Sequence, residues 1–250
     1  MVQSAKALRI ALAAFLLGYG TTEALAQAGG AAVPFLLISP NARASAMGDA
    51  GTGVSTDINA LYWNPGGLAF MEERQASLSF SKWLPQFNAD LFYSYGAYGQ
   101  YVEAVEGTMA VNFILMNLGE FTKTDINGRD LGRFRSNEFT LGVSYATTLS
   151  DDVGGGIQLR YIQSNLAETA NSQGDGSGVG VSVGFDLGVM WKPQSLSVAG
   201  LDLEDKISLG INLQIVGPSV TYNEQSDPLP TMLRLGAGVN VVRDEFNDLT

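Results

Sequence analysis

Arg160, Asp186 and Arg234 are the charged residues of this chain with the most chemical potential, because each interrupts an alternating apolar run rather than decorating a loop. Charged side chains at such places pair with one another or with a ligand. The 250 residues include no His and no Cys, which removes the usual general base, the commonest metal ligand and any thiolate nucleophile. A hydrolase here would need a Ser-Lys or paired-carboxylate arrangement, and no spacing suggests either. The run Asp125-Ile126-Asn127-Gly128-Arg129-Asp130 has a calcium-loop flavour. Its twelfth position is Ser136 where a bidentate Glu is required, so it reads as an Asx-stabilised turn. Gly174-Asp175-Gly176-Ser177-Gly178 precedes a strand pattern, not the helix N-terminus a phosphate cradle needs. The expectation is a protein without enzymatic activity, cofactor or metal.

The elements that hold these charges are strands. Residues 179–191 read V-G-V-S-V-G-F-D-L-G-V-M-W, with odd positions apolar or aromatic and even ones mostly Gly, Ser or Asp. Strand side chains alternate faces, so one face is greasy and the other small and polar. The same parity recurs, giving about eight strands: 75–84, 90–99, 108–116, 136–147, 153–164, 178–191, 207–216 and 233–242. Most reach the ~9–11 residues that cross a bilayer at a tilt. Two architectures fit, a soluble sandwich or a membrane barrel with its apolar face toward lipid. In a barrel Val181, Val183, Leu187, Val189, Leu141, Val143, Leu209 and Ile211 face lipid, and Ser182, Asp186, Asn212, Gln214, Arg160 and Arg234 face inward. A charge on the lipid face at mid-bilayer costs ~2–4 kcal/mol.

Composition and the N-terminus favour the membrane. Charged residues are 16% of the chain, below the ~25% of soluble domains, and glycine numbers 30. Lys6 and Arg9 precede the apolar run 10–17, and Ala24-Leu25-Ala26 is a small-x-small cleavage site. Residues 1–26 are therefore read as a secretory signal, with Gln27 the first mature residue. Loss of Lys6, Arg9 and Glu23 leaves 12 basic and 24 acidic residues, a net charge of −12 that disfavours nucleic acid as a partner. Residues 121–135, 165–177 and 217–231 read as long polar loops, with the tight Ser150-Asp151-Asp152 turn between the first two. Long loops at one end and short turns at the other suit an outer-membrane barrel, although residues 193–206 are long where a turn should fall. The stretch 243–250 reads as a turn leading to a further strand, so the barrel domain 75–250 is expected to continue beyond this sequence.

Residues 27–74 are too apolar for a free tail and too irregular for a strand. Short helical turns over 42–50 and 58–62, punctuated by Gly48, Gly51, Gly53 and Pro65, suggest a plug or a cap. Ala46-Met47-Gly48-Asp49-Ala50-Gly51, then Asp57, then Trp63-Asn64-Pro65-Gly66-Gly67-Leu68 resembles the N-terminal hatch signature of FadL-type outer-membrane barrels. The longer run from Ala32 through Asn64-Pro65, with Lys82-Trp83-Leu84, Leu118-Gly119-Glu120-Phe121 and Leu159-Arg160-Tyr161-Ile162-Gln163-Ser164, is similar to the PorV (LptO) branch. The resemblance implies an all-β transmembrane barrel of about fourteen strands around a hatch bearing Met47, Gly48, Asp49, Asp57, Trp63, Asn64 and Pro65. It also implies an outer-membrane subunit of the type IX secretion system. Such a subunit takes cargo through a C-terminal sorting domain and passes it to a surface attachment complex, beside other secretion subunits. Phe121, Phe134 and Tyr222 in the long loops are the expected cargo contacts. A FadL-like channel for hydrophobic small molecules is the competing expectation.

Overall fold

The computed structural model describes residues 30–83, 90–125, 127–167, 178–195, 197–198, 201–202, 206–223, 225–240, 242–243 and 248–249. The expected signal over residues 1–26 with its cleavage after Ala26, and residues 168–177 of the expected loop 165–177, lie outside them. From Ala31 onward the chain forms one compact unit.

Eight antiparallel strands make one curled sheet in sequential order: β1 (Gln75–Lys82), β2 (Phe92–Val102), β3 (Gly107–Thr124), β4 (Asp130–Ser150), β5 (Val153–Ala167), β6 (Gly178–Trp191), β7 (Ile207–Val216) and β8 (Met232–Val239). All eight expected strands are present, and burial alternates along much of their length, without a break in β6. Val181, Val183, Leu187, Val189, Leu141, Val143, Leu209 and Ile211 are exposed, whereas Ser182, Asp186, Asn212 and Gln214 are buried. The apolar face thus points outward and the polar face inward, the reverse of a soluble fold. Among the described residues, no helix is long and apolar enough to cross a membrane.

The outer face carries a belt with polar margins. Asn117, Asn137 and Asn165 stand side by side on β3, β4 and β5, and below them β4 turns Phe139, Leu141, Val143 and Tyr145 outward. From Asn137 to Thr147 the strand climbs ~34 Å at ~3.4 Å per residue, or ~26 Å after a tilt of ~40°. That equals the apolar height of an outer-membrane barrel, ~25 Å.

Two expected loops are corrected. Residues 121–135 are not a free loop: β3 and β4 run past the belt as a hairpin, pairing Phe121 with Phe134 and Thr124 with Asp130. Both faces of this extension are wet, so no alternation marks it; backbone pairing carries it, helped by cross-strand side-chain pairs such as Arg133 with Glu120 at 3.0 Å. Residues 217–231 hold a short ladder, Val220–Tyr222 with Gln225–Asp227, and fold back against β6. The long connection after β6 contains a two-residue pairing of Ser197–Val198 with Leu201–Asp202. At the chain end Val242–Arg243 pairs with Asp248–Leu249.

Candidate functional site

The N-terminal segment lies on the inner face, and the contact begins with glycine. Gly156 and Gly188 are register partners on β5 and β6, and Gly210 and Gly236 on β7 and β8. Having no side chains, they leave two flat tracks. Pro65 and Gly66 rest on the first, and Thr52 and Gly53 on the second, so close that a Cβ on any of the four would overlap them. Much of the glycine content of the sheet is explained by this close approach.

Asn64 stitches the two tracks together. It is fully buried; its Nδ2 donates to the Thr52 carbonyl at 3.0 Å and to the Val189 carbonyl of β6 at 3.0 Å. Its Oδ1 accepts the Gly66 N–H at 3.1 Å, capping the 3₁₀ turn Pro65–Phe70. Both amide donors and the acceptor are therefore used. Pro65 fits the first turn position, where no N–H is needed.

Upstream of Asn64 is a single helical turn, α2 (Ala60–Trp63), following α1 (Ala42–Ala46). A helix this short leaves its last carbonyls unpaired. The inner wall supplies donors to three in succession: Arg160 Nη2 to Leu61 at 3.4 Å, Gln214 Nε2 to Tyr62 at 3.0 Å and Asn212 Nδ2 to Trp63 at 2.9 Å. Asp57 starts the turn by accepting the Asn59 N–H at 2.9 Å, and Asn59 accepts Ser77 Oγ of β1 at 3.0 Å.

Arg160 and Asp186 are both buried and form an ion pair, Nε to Oδ2 at 2.9 Å. The other carboxylate oxygen accepts the Ile215 N–H at 2.7 Å. Pairing of this kind is what the two charges need at such depth. Arg234 takes a different partner: its guanidinium stands 4.7 Å from the Trp63 ring centre and 5.1 Å from that of Tyr62. Burial pushes the Tyr62 phenol above its ordinary pKa, an effect the Arg234 cation partly offsets. Trp63 and Arg234 border a cleft of about 420 Å³ with Asp49 and Leu37.

The structure thus divides the hatch-type motif. Trp63, Asn64 and Pro65 meet the inner wall, with Asp57 bracing the turn before them through Asn59, and they are joined by Thr52, Gly53, Asn212 and Gln214, which sequence reasoning had not assigned to this contact. Met47, Gly48 and Asp49 instead form an exposed turn closing α1. Gly48 (φ 69°) and Asp49 (φ 64°) are both left-handed, and the Asp49 N–H donates to the Ala44 carbonyl at 2.8 Å. In the extended hairpin Phe121 and Phe134 stack at 5.6 Å between ring centres. Tyr222 turns inward, its ring against Gly180 of β6 and its hydroxyl buried. Among the described residues no group of His, Cys, Asp or Glu could hold a metal ion.

A curled antiparallel sheet with an apolar exterior, a polar inner face and a chain segment packed against it defines a β-barrel-like class of fold. The chain belongs to the type IX secretion system protein PorV family, whose family model it matches over residues 22–250. It is accordingly an outer-membrane component of that secretion system. No individually curated protein matches it.

Proposed function

We propose that this protein is a non-enzymatic carrier that captures secreted cargo through a C-terminal sorting domain and hands it to the surface attachment complex. The observation that supports it most is the β3–β4 hairpin, which projects past the apolar belt and carries a stacked aromatic pair, Phe121 and Phe134, with Phe121 exposed. Exposed aromatics on a rigid hairpin make anchors at low entropic cost, and polar Thr122, Arg133 and Asn127 around them suit a separable partner. The signal over residues 1–26 delivers the chain to the periplasm, and the belt faces outer-membrane lipid.

Within this reading the segment 27–74 is a hatch inside a closed barrel of about fourteen strands. Among the described residues β1 and β8 have a sheet neighbour on one side only. An open edge in hydrocarbon is untenable, so further strands complete the ring. The small-molecule channel reading gains little from the inner face: Phe35, Leu36, Ile162, Ile215, Val220 and Leu229 are buried in one cluster there. The test is to replace Phe121 and Phe134 by Ser in the full-length protein and measure cargo co-purification and secretion. Cargo capture falls while barrel assembly persists. Normal capture with lost uptake of a hydrophobic solute would put the channel reading in its place.

A further inference from the structure

We propose that residues 217–223 and 225–231 form a hinged cover over the upper inner wall, pinned in its inward position at Ile215 by Asp186 and Thr231. The pin starts from a β-bulge. The β6–β7 register jumps between Phe185 opposite Val216 and Leu187 opposite Leu213, so Asp186 faces both Gln214 and Ile215. A bulge leaves one residue out of the ladder and bends its strand. Ile215 is that residue: it has φ 57°, a left-handed conformation that a β-branched side chain adopts only under constraint, and it is fully buried.

Both backbone groups of Ile215 are taken by side chains. Its N–H donates to Asp186 Oδ1 at 2.7 Å, and its carbonyl accepts Thr231 Oγ1 at 2.8 Å. Thr231 ends the connection that Ile215 begins, so the two residues close its base. Arg160 orients the Asp186 carboxylate through the other oxygen. Past the bulge the chain bends inward instead of continuing upward. Ser182 Oγ donates to the Pro218 carbonyl at 2.7 Å, Val220 is fully buried against Gly180, and the Ala32 N–H donates to the Pro228 carbonyl at 2.9 Å. Beneath the cover lie Glu138 and Ser164, hydrogen-bonded at 2.7 Å. The Tyr222 hydroxyl is buried in the same cover, beside Ser164 and Glu138. A polar floor under a strained hinge is the construction of a part that moves. Asp186 and Thr231 are positioning residues for it, whatever cargo the protein carries.

These 250 residues hold no cysteine, and with any cysteine elsewhere in the full-length protein replaced by Ser, single thiols report cleanly. In folded full-length protein in detergent micelles, Val220→Cys should react with a maleimide far more slowly than Asn127→Cys at the exposed hairpin tip. Adding Asp186→Ala, which removes the acceptor of the Ile215 N–H and also the partner of Arg160, should accelerate labelling at 220 by roughly tenfold or more, at least the factor expected for losing one buried hydrogen bond, and leave 127 unchanged. Thr231→Val should act in the same direction, and Asp186→Asn, which keeps an acceptor for the Ile215 N–H, should act less. Should Asp186→Ala fail to fold, Thr231→Val and a Gly180→Cys/Val220→Cys pair carry the test. Oxidation should link that pair in the parent and link it more slowly with Thr231→Val. Labelling at 220 as fast as at 127 in the parent, no cross-link, or protection at 220 unaffected by the pin variants that fold would overturn the proposal.

Discussion

The turn at Asn64 and the turn at Met47–Asp49 belong to one sequence signature, yet they answer to different physics. At Asn64 every polar atom of the amide is used, and the neighbours across the contact are glycines with no room to yield. At Gly48 a Cβ would meet nothing within 4 Å, and the constraint is only the left-handed backbone that closes α1. The first turn is held by tertiary contact with strands more than a hundred residues away; the second is held by its own helix end. A signature can therefore join a docking contact and a local chain reversal, and the two should respond to mutation very differently.

The sharpest break in that comparison is Asn64→Asp. It removes both donors and places a carboxylate against two carbonyls, leaving a buried charge uncompensated at a cost of ~3–5 kcal/mol. Urea unfolding of the refolded barrel should show the loss, and Asn64→Ala should lose less, ~1–3 kcal/mol for the groups left unpaired. Next is the outward face: Val183→Arg should destabilise by ~2–4 kcal/mol near mid-bilayer. Gly156→Ala on the docking track should cost ~1–3 kcal/mol through overpacking against Pro65, read by the same unfolding assay. The smallest effect belongs to the other turn. Gly48→Ala should cost ~1 kcal/mol for its positive φ and nothing for contact. If Gly48→Ala matched Asn64→Asp, the division drawn between the two turns would be wrong.

The faces of the sheet were legible because an apolar outer face and a polar inner face impose a strict period of two on the chain. Arg160 and Asp186 could be placed inward from the sequence for the same reason, and they pair there at 2.9 Å. The partners of Asn64 were not legible. Val189 is 125 residues distant, and the Asn212 and Gln214 amides lie 149 and 152 residues from the Trp63 and Tyr62 carbonyls they cap. The hairpin past the belt was hidden because water on both faces removes the alternation. The inward course of residues 217–231 was hidden because its apolar content is small and its direction depends on a bulge that no local motif announces.

The central claim is that the apolar parity faces lipid and the polar parity faces the packed N-terminal segment. Positions 182 and 183 test it with one residue of separation. In the cysteine-free chain, a fluorophore placed at Val183→Cys or at Ser182→Cys should be read in bilayers containing brominated lipid. The account predicts strong quenching at 183 and little at 182. Equal quenching at both positions, or the reverse order, would contradict it.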